Sequence, residues 1–208
     1  MEISYKGGSS LIISTKKTTL LVDPKVSHLG LKDPMVPDAV EILTDDRYAV
    51  EGARLTVKSP GEYEVGDFSI SGISARRHTD PDTTWPQSTI YRLETSEFRI
   101  GVLGHIESKL SEEQLEAIGV VDILIVPVGG NGFTLDPHDA ATLTRQIDPK
   151  VVIPVHYEDS KVNYEVPQLP LEQFTHELNL SVEAVDKYKI KNAAALPEAL
   201  SIVAINRG

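Results

Sequence analysis

The chain has 208 residues, 40% apolar and 25% charged, with a formal net charge of −11 and no cysteine. That composition is ordinary for a soluble globular protein able to bury one core, read as a single domain over 1–208. It excludes disulfides and thiolate metal sites, disfavours general nucleic-acid binding through its acidic balance, and offers no apolar run near the ~20 residues of a membrane span. The first residues, MEISYKGGSS, lack the basic-then-apolar pattern of a secretory signal, so a cytoplasmic location is expected.

In chain order, the first hundred residues read mainly as short strands. SLIIST (10–15) and TLLVDP (19–24) are apolar and β-branched, with Lys16-Lys17 as a hairpin turn between them. EILT (41–44) and ARLTVK (53–58) follow. A Pro-Gly turn then opens SPGEYEVGDFSISGIS (59–74), two alternating runs broken at Gly66-Asp67. The polar stretch TDPDTTWPQ (79–87) is a long loop whose Trp85 reads as a substrate-facing lid or as a packed anchor, the usual role of an aromatic. STIYRLET (88–95) and EFRIGVLG (97–104) make another hairpin.

Strands and helices alternate from there on. SEEQLEAIG (111–119) carries a capping-box pattern, with Ser111 as N-cap and Gln114 three residues later. VDILIVPV (121–128) and KVVIPVHY (150–157) are continuous apolar runs, as expected of strands buried on both faces. DPHDAATLTRQID (136–148) is a helix with Pro137 at its first position, and LPLEQFTHEL (169–178) is a further helix. SVEAVDKYKI and ALSIVAIN close the chain as strands. Hairpins first and strand–helix alternation second predict an α/β fold in which two packed sheets carry helices outside, a four-layer αββα sandwich.

The histidines separate by position. His105 and His156 each end an apolar strand (RIGVLGH, VVIPVH), and His78 follows the strand SISGISA. Carboxyl ends of strands are where ligands bind in α/β sheets, so these three are expected to converge. His138 and His176 fall within helices and read as solvent-facing; His28 lies in a loop with no assigned place.

The run from LSEEQLEAIG through VPVGG, FTLDP and the Ala-rich helix to PKVVIPVHY resembles the metallo-β-lactamase superfamily. The branch it looks most like includes the ascorbate-6-phosphate lactonase-like hydrolases. TLLVDP, ending in Asp23, and PGEYEVGDFSISGI, leading to His78, extend the resemblance upstream, over roughly residues 1 to 160. It implies the αββα sandwich and a site where two metal ions, most often zinc, activate a shared water. Their ligands would come from an H-x-H-x-D-H motif after an early strand ending in Thr, then a His, a bridging Asp and a final His.

Carried over residue by residue, that motif is degraded. After Thr44 its first His is Asp45, its second is Arg47, its Asp is Ala49 and its last His is Val50. Asp45 can still donate oxygen to a metal; a protonated guanidinium has no lone pair to give. His78 and His156 are retained, the bridging Asp is His105, and the early Gly-His pair is Gly7-Gly8. Neither half of a dinuclear centre keeps the three protein ligands of a catalytic zinc site. One ion on His78, His105 and His156 remains an alternative, though a guanidinium about 5 Å from a divalent cation costs roughly 6 to 7 kcal/mol at an effective dielectric near 20.

The expected protein is therefore a hydrolase-like relative with a degenerate site. It is either non-catalytic, a pseudoenzyme, or repurposed to bind a small anionic ligand or a protein partner through a pocket of Asp23, Asp45, Arg47, His78, His105 and His156, with no cofactor. The alternatives are a hydrolase of a lactone or phosphoester holding one zinc, manganese or iron ion, and metal-free acid–base catalysis by His105 or His156 with Asp45. Arg47 reads as a structural ion pair or an anion donor, and Arg76 and Arg77 as solvated strand-end residues or as a forked anion clamp. Asp23 either caps the turn before Pro24 or supports the 44–50 loop. Gly129, Gly130 and Gly132 read as a tight crossover loop beside the site.

Overall fold

A computed structural model describes residues 1–78 and 87–208. The chain starts in β1 (Glu2–Gly7), unanticipated from the sequence, although its alternation buries Ile3 and Tyr5. β2 (Ser10–Ser14) and β3 (Thr19–Val22) form the expected hairpin across Lys16-Lys17. β4 (Val40–Ile42) and β5 (Thr56–Val57) follow, the latter only two residues of the ARLTVK run. β6 (Gly61–Val65) and β7 (Phe68–Arg76) pair antiparallel around Gly66-Asp67, and β8 (Gln87–Glu94) pairs with β9 (Arg99–Val102). Then come α1 (Glu112–Ile118), β10 (Ile123–Pro127), α2 (Pro137–Ile147), β11 (Val151–Val155) and α3 (Leu171–Leu178). The end holds β12 (Val182–Val185), β13 (Tyr188–Lys189) and β14 (Ser201–Ile205). Trp85 and the rest of 79–86 lie outside the described residues.

The strands make two sheets, ordered β13-β1-β2-β3-β4-β5 and β12-β14-β11-β10-β9-β8-β7-β6. SVEAVDKYKI is thus not one strand: β12 ends the second sheet and β13 the first. The sheets face each other across a hydrophobic core that includes Ile3, Ile13, Phe68, Tyr91 and Ile125. β10 shows why its sequence is apolar throughout. Ile123 and Ile125 point into this core, whereas Leu124 and Val126 join the second cluster, where Leu143 and Phe174 of α2 and α3 cover the opposite face.

Local signals set the helices. Ser111 Oγ accepts from Gln114 N–H at 3.2 Å and Gln114 Oε1 accepts from Ser111 N–H at 2.8 Å, completing the capping box of α1. At α2, Pro137 opens the helix as expected, but Asp136 does not cap with its side chain. Its Oδ1 accepts from Asn131 N–H at 3.2 Å, which folds the Gly129–Gly132 turn back onto the helix start. Because β9, β10 and β11 run parallel, their carboxyl ends open at one edge of the second sheet, where His105, Gly129 and His156 stand.

Candidate functional site

The loop after β4 is pinned from below. Asp23, the residue after β3, is buried and holds a left-handed φ of 44°. Its Oδ1 accepts from Thr44 N–H at 2.8 Å and its Oδ2 from the Thr44 hydroxyl at 2.7 Å. Of its two sequence readings, the supporting role is the one found: its carboxylate reaches the next strand end, 21 residues on, instead of its own turn. Burial pushes the carboxyl up to about 7, against the two Thr44 hydrogen bonds that favour the ionised form.

Above Thr44 the chain makes a 3-10 turn, Asp46–Tyr48, capped by Asp45. Asp45 Oδ1 accepts from Arg47 N–H at 3.0 Å and pairs with Arg47 Nε at 3.2 Å; its Oδ2 lies 3.3 Å from Arg77 Nε. The Arg47 side chain is 38% exposed, and its guanidinium lies 5.6 Å from the Tyr48 ring and 5.8 Å from the Phe133 ring. The two arginines at the end of β7 part company: the solvated reading holds for Arg76 and fails for Arg77. Arg76 points out and pairs with Glu107 at 3.4 Å, whereas Arg77 turns inward and is buried on Asp45. Strand alternation explains the split, since Arg77 pairs with Ile106 in an isolated bridge that extends the pleat of β7.

His105 and His156 meet behind this loop, their rings perpendicular with centroids 5.0 Å apart. His105 is buried, and its Nε2 lies 3.0 Å from Ser9 Oγ and 3.2 Å from the Tyr48 hydroxyl. Its Nδ1 is buried without a hydrogen bond of good geometry, although the Phe133 backbone lies near enough to favour its protonated form. Burial first, then the His156 ring, hold His105 well below the ordinary imidazole value. His156 stands at a left-handed φ of 52°, where an L-residue with a Cβ is strained, fixed by its N–H donating to Gly8 O at 2.8 Å. Its Nδ1 lies 3.1 Å from Gln168 Oε1, and Gln168 Nε2 donates to Val166 O at 2.9 Å. The amide oxygen can only accept, so the His156 proton sits on Nδ1 and Nε2 keeps its lone pair. Burial holds His156 at about 4, despite the Gln168 bond, so both rings are neutral near pH 7.

His78 is half-buried and joins the cluster through its backbone, its N–H donating to His105 O at 3.1 Å. His138 and His176 are exposed on α2 and α3, as expected. His28, unplaced from sequence, stacks on Tyr48 with centroids 5.9 Å apart. Asp45 is held by the two arginines, so the alternative of an acid–base couple with His105 or His156 gives way to ion pairs. Ser9, Tyr48 and Gln168 are site residues that the sequence reading does not include. Tyr48 carried a signal, being next to Arg47; Ser9 follows the altered Gly7-Gly8 pair. Nothing local marks Gln168. Among the described residues, no three His, Cys, Asp or Glu side chains are grouped to hold a metal.

Comparison with known proteins accords with this architecture. A family profile described as "Beta-lactamase superfamily domain" matches residues 2–156. A "UPF0173 metal-dependent hydrolase" of Lysinibacillus sphaericus is 25% identical over 206 residues, covering 81% of this chain and 90% of that protein. Another so described, from Pyrobaculum calidifontis, is 23% identical and covers 91% of this chain and 95% of its own. A crystal structure of a Thermotoga maritima member of the metallo-β-lactamase superfamily superposes with a TM-score of 0.76 at 21% identity, over 99% of this chain and 98% of that one. At such identity the structural likeness establishes the fold.

Proposed function

We propose, for a chain that belongs to the β-lactamase superfamily and carries the metallo-β-lactamase fold, that its site has exchanged coordinated metal for fixed guanidinium charge and receives a small anion. One observation carries this reading: each carboxylate oxygen of Asp45 has a guanidinium Nε within 3.3 Å, from Arg47 at one and Arg77 at the other.

The donor chemistry fits two metals poorly. Of the first-motif positions, Asp45 is committed to arginines, Arg47 cannot ligate, and Ala49 and Val50 carry no donor atom. His105, at the bridging position, turns its Nε2 to Ser9 and Tyr48. The early Gly-His pair of the family ends here in Gly8, whose backbone oxygen instead orients His156. In place of metal charge stand two permanent cations against Asp45, an Asp23 whose carboxyl burial pushes up to about 7, and two neutral imidazoles. The local excess is positive inside a protein of net charge −11, which favours a compact carboxylate or phosphate at the half-exposed Arg47. The likeness to ascorbate-6-phosphate lactonase-like hydrolases and a cytoplasmic location belong to the same proposal.

Isothermal titration with inorganic phosphate and with acetate tests it. A charge-assisted contact contributes about 1.5–3 kcal/mol, so Arg47→Gln is expected to weaken binding of the favoured anion at least about ten-fold. Heats absent for both anions, or an unchanged affinity in R47Q, would contradict the reading. The second reading, a one-metal hydrolase on His78, His105 and His156, draws support from the His156 Nε2 lone pair, but among the described residues those three imidazoles are not grouped to hold an ion.

A further inference from the structure

Between β1 and β2 the chain reverses through Gly7 and Gly8, at φ of 106° and 56°, and delivers Ser9 to His105. The φ of Gly7 is one that residues with a side chain rarely adopt, and the turn is tight. A Cβ at Gly7 would stand 2.4 Å from Leu31 Cδ1, and one at Gly8 2.7 Å from Leu29 Cδ1. The Ser9 hydroxyl and the His105 Nε2 are 3.0 Å apart, within the reach of a nucleophile and its base. Ser10, next in the chain, is fully buried with its Oγ unpartnered among the described residues, so only one of the two hydroxyls is matched to a ring nitrogen. The Tyr48 hydroxyl, 3.2 Å from that nitrogen, sets a further donor beside the reacting atoms.

We propose that Ser9 and His105 form a nucleophile–base pair that cleaves small carboxylic esters without a metal. Ser9 Oγ attacks the ester carbonyl carbon as its proton passes to His105 Nε2. The bond to the leaving alcohol breaks, and that oxygen takes the proton from Nε2. Water then attacks the acyl-serine, giving one proton to Nε2 and from there to Ser9 Oγ, and the carboxylic acid departs. A ring this buried is a weak base, so the pair suits reactive esters with acidic leaving groups, such as aryl esters. The proposal rests on a metal-free pocket, but the attack itself needs no anion seat at Arg47.

Phenylmethanesulfonyl fluoride, a neutral serine-directed electrophile, tests it on the full chain by peptide mass mapping. The adduct is expected on Ser9, absent in Ser9→Ala, retained in Ser10→Ala, and formed at least ten-fold more slowly in His105→Gln, with folding of each variant checked by its melting curve. Should H105Q not fold, His105→Asn takes its place, and the wild-type result decides in its own right: no adduct on Ser9 of the folded protein overturns the proposal. Equal labelling rates in wild type and a folded His105 variant overturn it too. Failed labelling with intact phosphate binding removes this inference and leaves the anion site standing.

Discussion

Replacing Asp45 by asparagine is expected to lower the free energy of unfolding by about 3 kcal/mol, the scale of breaking one partner out of a buried ion pair. Asp45 and Arg77 side chains are 6% and 5% exposed, so water does not replace the lost charge. Asparagine keeps the size and one acceptor oxygen but offers an NH₂ group where a guanidinium now donates. Two permanent cations then face each other without the carboxylate between them. R47Q is the contrast: the guanidinium it removes is half-exposed and screened, Asp45 keeps Arg77, and about 1 kcal/mol or less is expected. Urea denaturation with unchanged m-value reads both. A D45N loss below about 0.5 kcal/mol would mean that the triad does not organise the loop.

Gly129→Ala is expected to cost about 3 kcal/mol or more, at the upper end of overpacking. A Cβ there would stand 2.2 Å from Gln168 Oε1 and 2.3 Å from the backbone oxygen of His156. Gln168 can swing away, but a carbonyl at the end of β11 cannot move without its strand. Gly129 O also accepts from Leu169 N–H at 2.7 Å, tying this turn to the segment that carries Gln168. The same change therefore loosens the hydrogen bond that sets the His156 tautomer. A melting temperature within a degree or two of wild type would contradict this packing.

Much of this was legible in the sequence, and the reasons are local. Ser111 with Gln114, Pro137 at a helix start, and the unbroken apolar runs of β10 and β11 each state their structure within a few residues. The convergence of His105 and His156 followed from their places at parallel strand ends. The rest depends on partners far apart in the chain. Arg77 reads as one of two equivalent arginines until the Ile106 bridge turns it inward onto Asp45, and Ser9 acquires meaning only when a ring 96 residues later comes within 3.0 Å. β13 is similar: two residues cannot announce which of two sheets they will edge.

Metal content most directly tests the exchange of metal for guanidinium charge. Protein purified without chelator is expected to carry well under one equivalent of zinc, manganese or iron, and added zinc is expected to leave its melting temperature unchanged, since a metal bound only by the native state raises it. About one equivalent of bound metal, lost in His156→Ala, would contradict the metal-free site and establish the one-metal reading instead.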